Sequence, residues 1–189
     1  MTESITGNLV KRTGVTTSEV DNVSVACNVN KVVVTNNPFL IEFHQNNVKV
    51  VTVNQRHLMR FENLRLKPAV LDKNEDVDSW EETWEGYTDS KPNGPEAVAL
   101  DFTFDQSDIL FGIPEHHDSF ALKNTLYGEP YRLWTTDMTF YELDSRRPNY
   151  GAIPVIYGHG SSGRTVGVFW HNSADTYVDI YDGKTSHFM

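Results

Sequence analysis

The chain has 189 residues and a net charge of −10, with 26 Asp and Glu against 16 Lys and Arg, and is 39% hydrophobic and 12% aromatic. That length and composition suit one folded domain with a real core better than a disordered chain. The acidic balance repels phosphate backbones and anionic bilayers, so neither nucleic acid nor membrane is expected as a partner. No apolar run approaches the roughly 18 residues that cross a bilayer.

Met1–Arg12 contains no apolar stretch of the signal-peptide kind. Residues 1–30 read as an N-terminal extension or as first strands, and residues 31–189 as the body of the domain. The single cysteine, Cys27, excludes an internal disulfide. Asn22–Ser24 forms a glycosylation sequon, a triplet common by chance. From there strand signals dominate. "VSVACNV", "KVVVT", "FLIEFH" and "VKVVTVN" are short, rich in Val, Ile and Phe, and separated by Asn, Pro or Gln-Asn-Asn turns.

Residues 72–95 interrupt this pattern with an acidic insertion. Asp72, Glu75, Asp76, Asp78, Glu81, Glu82 and Glu85 stand against one Lys73, followed by the turn residues of "YTDSKPNGP". A solvated loop is the plain reading, a partner-binding loop the sharper one. The EF-hand spacing for calcium is absent. Trp80 and Trp84 are four apart, which fits one helical turn or two rings on a strand edge. Further strands are expected in "EAVALDFTF", "ILFGI", "MTFYEL", "AIPVIYG", "TVGVFWH" and "TYVDIYD". Many short strands without helical periodicity predict an all-β fold, a β-sandwich or a barrel.

Three stretches carry candidate chemistry. "YGHGSSGRT" spells G-x-G-x-x-G through Gly158, Gly160 and Gly163, but a strand pattern follows it where a dinucleotide site needs a helix N-terminus. A hairpin loop is the better account. In "GIPEHHDSF" the adjacent His116 and His117 would leave an extended strand on opposite faces and so would not share a metal. The expectation is that Glu115 or one histidine is held by buried hydrogen bonds while the other faces solvent, with no metal and no cofactor. "YRLWTTDMTFYE" gathers Arg132, Trp134, Asp137, Tyr141 and Glu142. An aromatic face beside a carboxylate suits a sugar, but Trp134 and Tyr141 could equally be core with Asp137 in a turn.

The order of the motifs adds a resemblance. "NQRHLMRFENLR", "WEETWEGYTDSKPNGPEAVALDFTF", "FGIPEHHDSFALK", "GEPYRLWTTDMTFYEL", "YGAIPVIYGH" and "VGVFWHNSADTYVDI" follow one another, and together they resemble the N-terminal region of glycoside hydrolase family 31 over roughly residues 32–180. The resemblance implies a β-sandwich of the galactose-mutarotase-like type, packed in the family against a separate (β/α)8 barrel. It implies hydrolysis of α-glucosidic bonds with retention, by two barrel carboxyl groups about 5–5.5 Å apart. The family's nucleophile sits in W-x-D-M-N-E. "WTTDM" here has one residue too many between Trp134 and Asp137, and Thr139-Phe140 follow Met138, so Asp137 is not that nucleophile. No barrel pattern is present. The chain stops in "YDGKTSHFM", where the family continues, so a sandwich truncated at its C-terminal end, inactive alone, is expected.

The same resemblance implies roles for residues on the sandwich. Asp137 matches the aspartate of a loop that hydrogen-bonds the terminal sugar, with Trp134 on the same substrate-binding loop. Arg132, Glu115 and His116 are implied as support for that loop. The implied partners are an α-glucoside or a glucosylated N-glycan, reached through the barrel, and a regulatory β subunit. The implied location is the lumen of the endoplasmic reticulum. The alternative is a free-standing sandwich that binds carbohydrate or protein without hydrolase activity.

Overall fold

A computed structural model describes residues 15–18, 21–62, 66–67, 80–90 and 96–189. Among these, regular structure is all strand. The chain begins as a meander: β1 (Val15–Ser18), β2 (Asn22–Cys27), β3 (Asn30–Thr35), β4 (Leu40–Gln45) and β5 (Val48–Val53) pair in succession, each antiparallel to the last. Asn46 and Asn47 both take positive φ, 52° and 61°, in the β4–β5 turn. Such a two-residue turn matches the twist of the strands it joins, and Asn tolerates the left-handed region. Strands β1 and β2 place part of the first 30 residues inside the sheet.

The same sheet continues through β9 (Val98–Thr103), β15 (Thr185–Phe188), β14 (Thr176–Tyr181) and β11 (Tyr131–Leu133), with β6 (Arg60–Phe61) pairing β9. A second, three-stranded sheet holds β10 (Ile109–Gly112), β12 (Val155–His159) and β13 (Thr165–Phe169). Alternation decides which residues lie between the sheets. Val51, Val53, Phe102, Val178, Ile180 and Phe188 of the large sheet pack with Leu110 and Ile156 of the small one. Phe102 meets Phe188 and Trp170 edge to face, with ring centroids 5.7 and 6.0 Å apart. This is a β-sandwich, as the strand pattern predicts.

The tail is central. Thr185–Phe188 is buried at all four positions and pairs β9 on one side and β14 on the other. Asp182 and Gly183, with φ of 52° and 62°, make the tight turn that returns β14 into β15. The small sheet covers only part of the large one. Beside the edge of β13 an apolar cleft of about 690 Å³ remains, walled by Val32, Ile41, Phe43, Val51, Val166 and Val168.

Of the acidic insertion, residues 72–79 and 91–95 lie outside the described residues. Residues 81–90 form a separate hairpin, β7 (Glu81–Trp84) with β8 (Tyr87–Ser90). Trp84 is therefore on a strand and exposed, while Trp80 is buried. The strand expected in "MTFYEL" does not form. Residues 138–143 run as loop, and Phe140 and Leu143 are 84% and 81% exposed. Alternation requires a neighbouring strand and a face to bury, and this segment has neither. "YRL", in contrast, becomes β11 by pairing with β14.

Candidate functional site

The site is built where β10 leaves the small sheet. Gly112 ends the strand at φ 115°, and a Cβ there would stand 2.5 Å from the Val155 carbonyl oxygen. Only glycine fits that backbone and that approach. The chain then runs beside residues 149–155. Ile113 N–H donates to Val155 O at 2.7 Å, Ile153 N–H to Pro114 O at 3.0 Å, Glu115 N–H to Gly151 O at 2.8 Å, and Asn149 N–H to Glu115 O at 3.1 Å. The Glu115 side chain adds to this ladder by accepting from Gly151 N–H at 2.9 Å. Glu115 is thus exposed yet bonded by backbone and side chain to one segment.

The two histidines part. His116 turns its Nε2 to the Arg132 carbonyl at 3.1 Å and lies edge-on to Tyr131, with centroids 5.2 Å apart. Burial lowers its pKa, opposed by the bonds to Arg132 and Ile113. His117 pairs its Nδ1 with the Asn149 amide and stacks on Tyr141 at 3.9 Å. Both rings are therefore bonded, and neither simply faces solvent. Below them Asp118, only 2% exposed in its side chain, accepts from the Tyr131 hydroxyl and from Ser119 N–H, both at 2.8 Å, and pairs with Lys123. Burial opposes its ionisation, but these partners together hold its pKa down. Tyr131 moves the other way, to about 12, through burial and the adjacent carboxylate.

Arg132 and Trp134 leave β11 on the face opposite the buried Tyr131 and Leu133. Arg132 reaches Glu129 at 3.0 Å and lies 5.7 Å from the Trp134 ring, which meets Tyr177 edge-on at 5.3 Å. Asp137 lies beyond, exposed on the loop between β11 and β12. Its neighbours are tied down on both sides. Thr136 N–H donates to Asn149 O at 2.9 Å, and the Tyr150 hydroxyl donates to Met138 O at 2.9 Å. Asn149 and Tyr150 therefore bond directly to the backbone flanking Asp137, and Glu115 holds that segment in turn through Asn149 and Gly151, whereas Arg132 and Trp134 form a neighbouring cluster where β11 runs into the loop. Asn149 and Tyr150 are absent from the sequence reading because each matters through a contact made 12 or more residues away, and Asp118, though within "GIPEHHDSF", gains its role only once Tyr131 packs on it.

The glycine-rich stretch is the β12–β13 hairpin. Gly158 and Gly160 pack against the turn that follows β9, where a Cβ would lie 2.3 Å from Ser107 Oγ and 1.9 Å from Gln106 O respectively. Close packing accounts for the glycines.

The described strands thus make an antiparallel two-sheet sandwich with an exposed carboxylate, Asp137, on a loop bonded to residues 149–150. A family model described as the glycosyl hydrolase 31 N-terminal galactose mutarotase-like domain matches residues 7–179, and the chain belongs to that family. Glucosidase 2 subunit alpha of Schizosaccharomyces pombe is 41% identical over 154 residues, 79% of this chain and 17% of that protein. The catalytic subunit in the heterodimeric complex of ER glucosidase II, solved with the binding domain of the regulatory subunit, superposes with a TM-score of 0.78 at 30% identity, covering 95% of this chain and 22% of that one. The alpha3-Glc2-bound glucosidase II alpha subunit matches with the same TM-score, 0.78, at 30% identity, 95% and 22% coverage. The chain spans about a fifth of the length of the relatives it matches.

Proposed function

We propose that this sandwich serves a retaining α-glucosidase of the glucosidase II type, supporting its catalytic barrel and presenting Asp137 to the terminal sugar of the substrate. The observation that carries the reading is the placement of Asp137, an exposed carboxylate between two backbone positions that are each hydrogen-bonded to residues 149–150. A carboxylate held this way orients sugar hydroxyls without reacting. Trp134 offers an apolar ring at the point where β11 runs into that loop, with Arg132 lying over the ring. Glu115 and His116 brace the loop from below, through Gly151 and through the Arg132 carbonyl.

The two reacting carboxyl groups come from the barrel, so the 189-residue chain alone is inactive in this reading. The substrate is an α-glucoside, in the cell a glucosylated N-glycan trimmed in the lumen of the endoplasmic reticulum, with a regulatory β subunit as partner. Support comes from the relatives, one solved with a regulatory subunit's binding domain and one with alpha3-Glc2. The test is Asp137→Ala with this domain joined to its barrel. The expected outcome is a fall in kcat/KM of about ten- to a hundredfold, the range of hydrogen bonds to a charged group. A variant with wild-type kcat/KM removes the reading.

A further inference from the structure

We propose that the Tyr150 hydroxyl is a positioning group that sets where Asp137 stands; this rests on Asp137 being the sugar-contacting carboxylate. Residues 134–154, between β11 and β12, contain no strand. A loop of that length without regular structure is uncommon in a compact domain, and Asp137 would sample many positions on it if untethered. Two bonds prevent this, one on each side of the residue. The Thr136 N–H bond to Asn149 O, at 2.9 Å, joins backbone to backbone. The Tyr150 O–H bond to Met138 O, at 2.9 Å, is the one that a side chain supplies.

The far end of the tether is fixed. Asn149 is buried, and its peptide N–H is bonded to Glu115 O at 3.1 Å. Gly151 is bonded to Glu115 through both its N–H and its carbonyl. Ile153 and Ile113 extend the same ladder into β10 and β12. Tyr150 therefore transmits the position of the small sheet to the loop. Tyr150 is 52% exposed, so apolar burial alone does not account for a tyrosine there, while its hydroxyl has a defined acceptor 12 residues away. Tyr150→Phe removes that bond and leaves the ring.

The experiment compares wild type, Tyr150→Phe, Asp137→Ala and the double variant, with this domain joined to its catalytic barrel, on an α-glucoside. Tyr150→Phe is expected to lower kcat/KM about two- to tenfold, the factor one ordinary hydrogen bond carries, mainly through KM and with an unchanged pH profile. The double variant is expected to match Asp137→Ala alone, because a tether has no effect once the group it places is gone. In the 189-residue chain, Tyr150→Phe should speed amide exchange at Thr136 by a similar factor and leave β12 unchanged.

Wild-type activity in Asp137→Ala would overturn the sugar-contact reading and this proposal with it. An impaired Asp137→Ala beside a wild-type Tyr150→Phe overturns the positioning role alone. An equal loss from Tyr150→Phe in the Asp137→Ala background also overturns it, since the hydroxyl then acts elsewhere. Unaltered Thr136 exchange does the same.

Discussion

Gly160 shows how one residue type can mislead a motif search and still be indispensable. A Cβ at this position would meet Gln106 O at 1.9 Å, and that atom belongs to backbone that cannot rotate away. At Gly163, with φ 77°, a Cβ meets nothing within 4 Å, and the cost is conformational only. Gly160→Ala should therefore destabilise the domain by about 1–3 kcal/mol or more, as overpacking does. Gly163→Ala should cost about 1–2 kcal/mol from the left-handed backbone. Urea unfolding of the two variants gives the ranking, and the reverse order would show that the hairpin does not press on the Gln106 turn. The adjacent histidines carry the same lesson: their divergence was legible, their partners were not, because Arg132 and Asn149 are chosen by the fold.

At the scale of elements, β9, β15 and β14 set Asp101, His187 and Asp179 side by side on one face of the sheet. Asp101 is buried and accepts from Arg56 N–H at 2.9 Å and Leu58 N–H at 3.1 Å, which folds residues 54–59 over the row. Burial lowers the pKa of His187, against the pull of the two carboxylates. His116 is lowered likewise. The unfolded chain then binds more protons than the folded one once the pH drops below about 6.5. Stability should be full above that pH and decline as pH falls through the lower folded values. His187→Gln should flatten the decline without abolishing it, as His116 remains. Tyr131 acts at the other limit. With its folded pKa near 12 against an ordinary 10.0, stability should be lost as pH rises above 10. Tyr131→Phe should flatten that alkaline slope, read by denaturant midpoints across the range.

The strand runs rich in Val, Ile and Phe all became strands, since alternation and turn residues are local signals. "MTFYEL" carries the same local pattern and fails for want of a partner. "TSHF" carries little of it and becomes a central strand, because β9 and β14 close on it from both sides.

For the whole molecule, the small sheet leaves the inner face of β3–β5 partly uncovered. The cleft there is apolar, with Phe43 40% exposed on its wall. An open apolar surface of this kind drives association, while the net charge of −10 opposes it. The 189-residue chain should therefore associate with increasing concentration, more strongly at high salt, where the repulsion is screened. Phe43→Lys should shift it toward monomer in sedimentation velocity. A wild-type chain that stays monomeric at high salt would show that the cleft is too small or too polar to matter.

The sequence by itself determined the all-β class, the hairpin turns at Asn and Gly, and membership of a sugar-hydrolase family through the order of its motifs. The first two rest on residues within a few positions of one another, and the third on the order of short motifs from Asn54 to Ile180. Only the tertiary structure decided that Glu115 holds Gly151, 36 residues on, that Thr185–Phe188 inserts between β9 and β14, and that Asn149 and Tyr150 bond the backbone on either side of Asp137. A hydrogen-bonding side chain or backbone group has many acceptable partners along a chain. Which one it meets is settled when the two sheets pack and bring distant segments within about 3 Å.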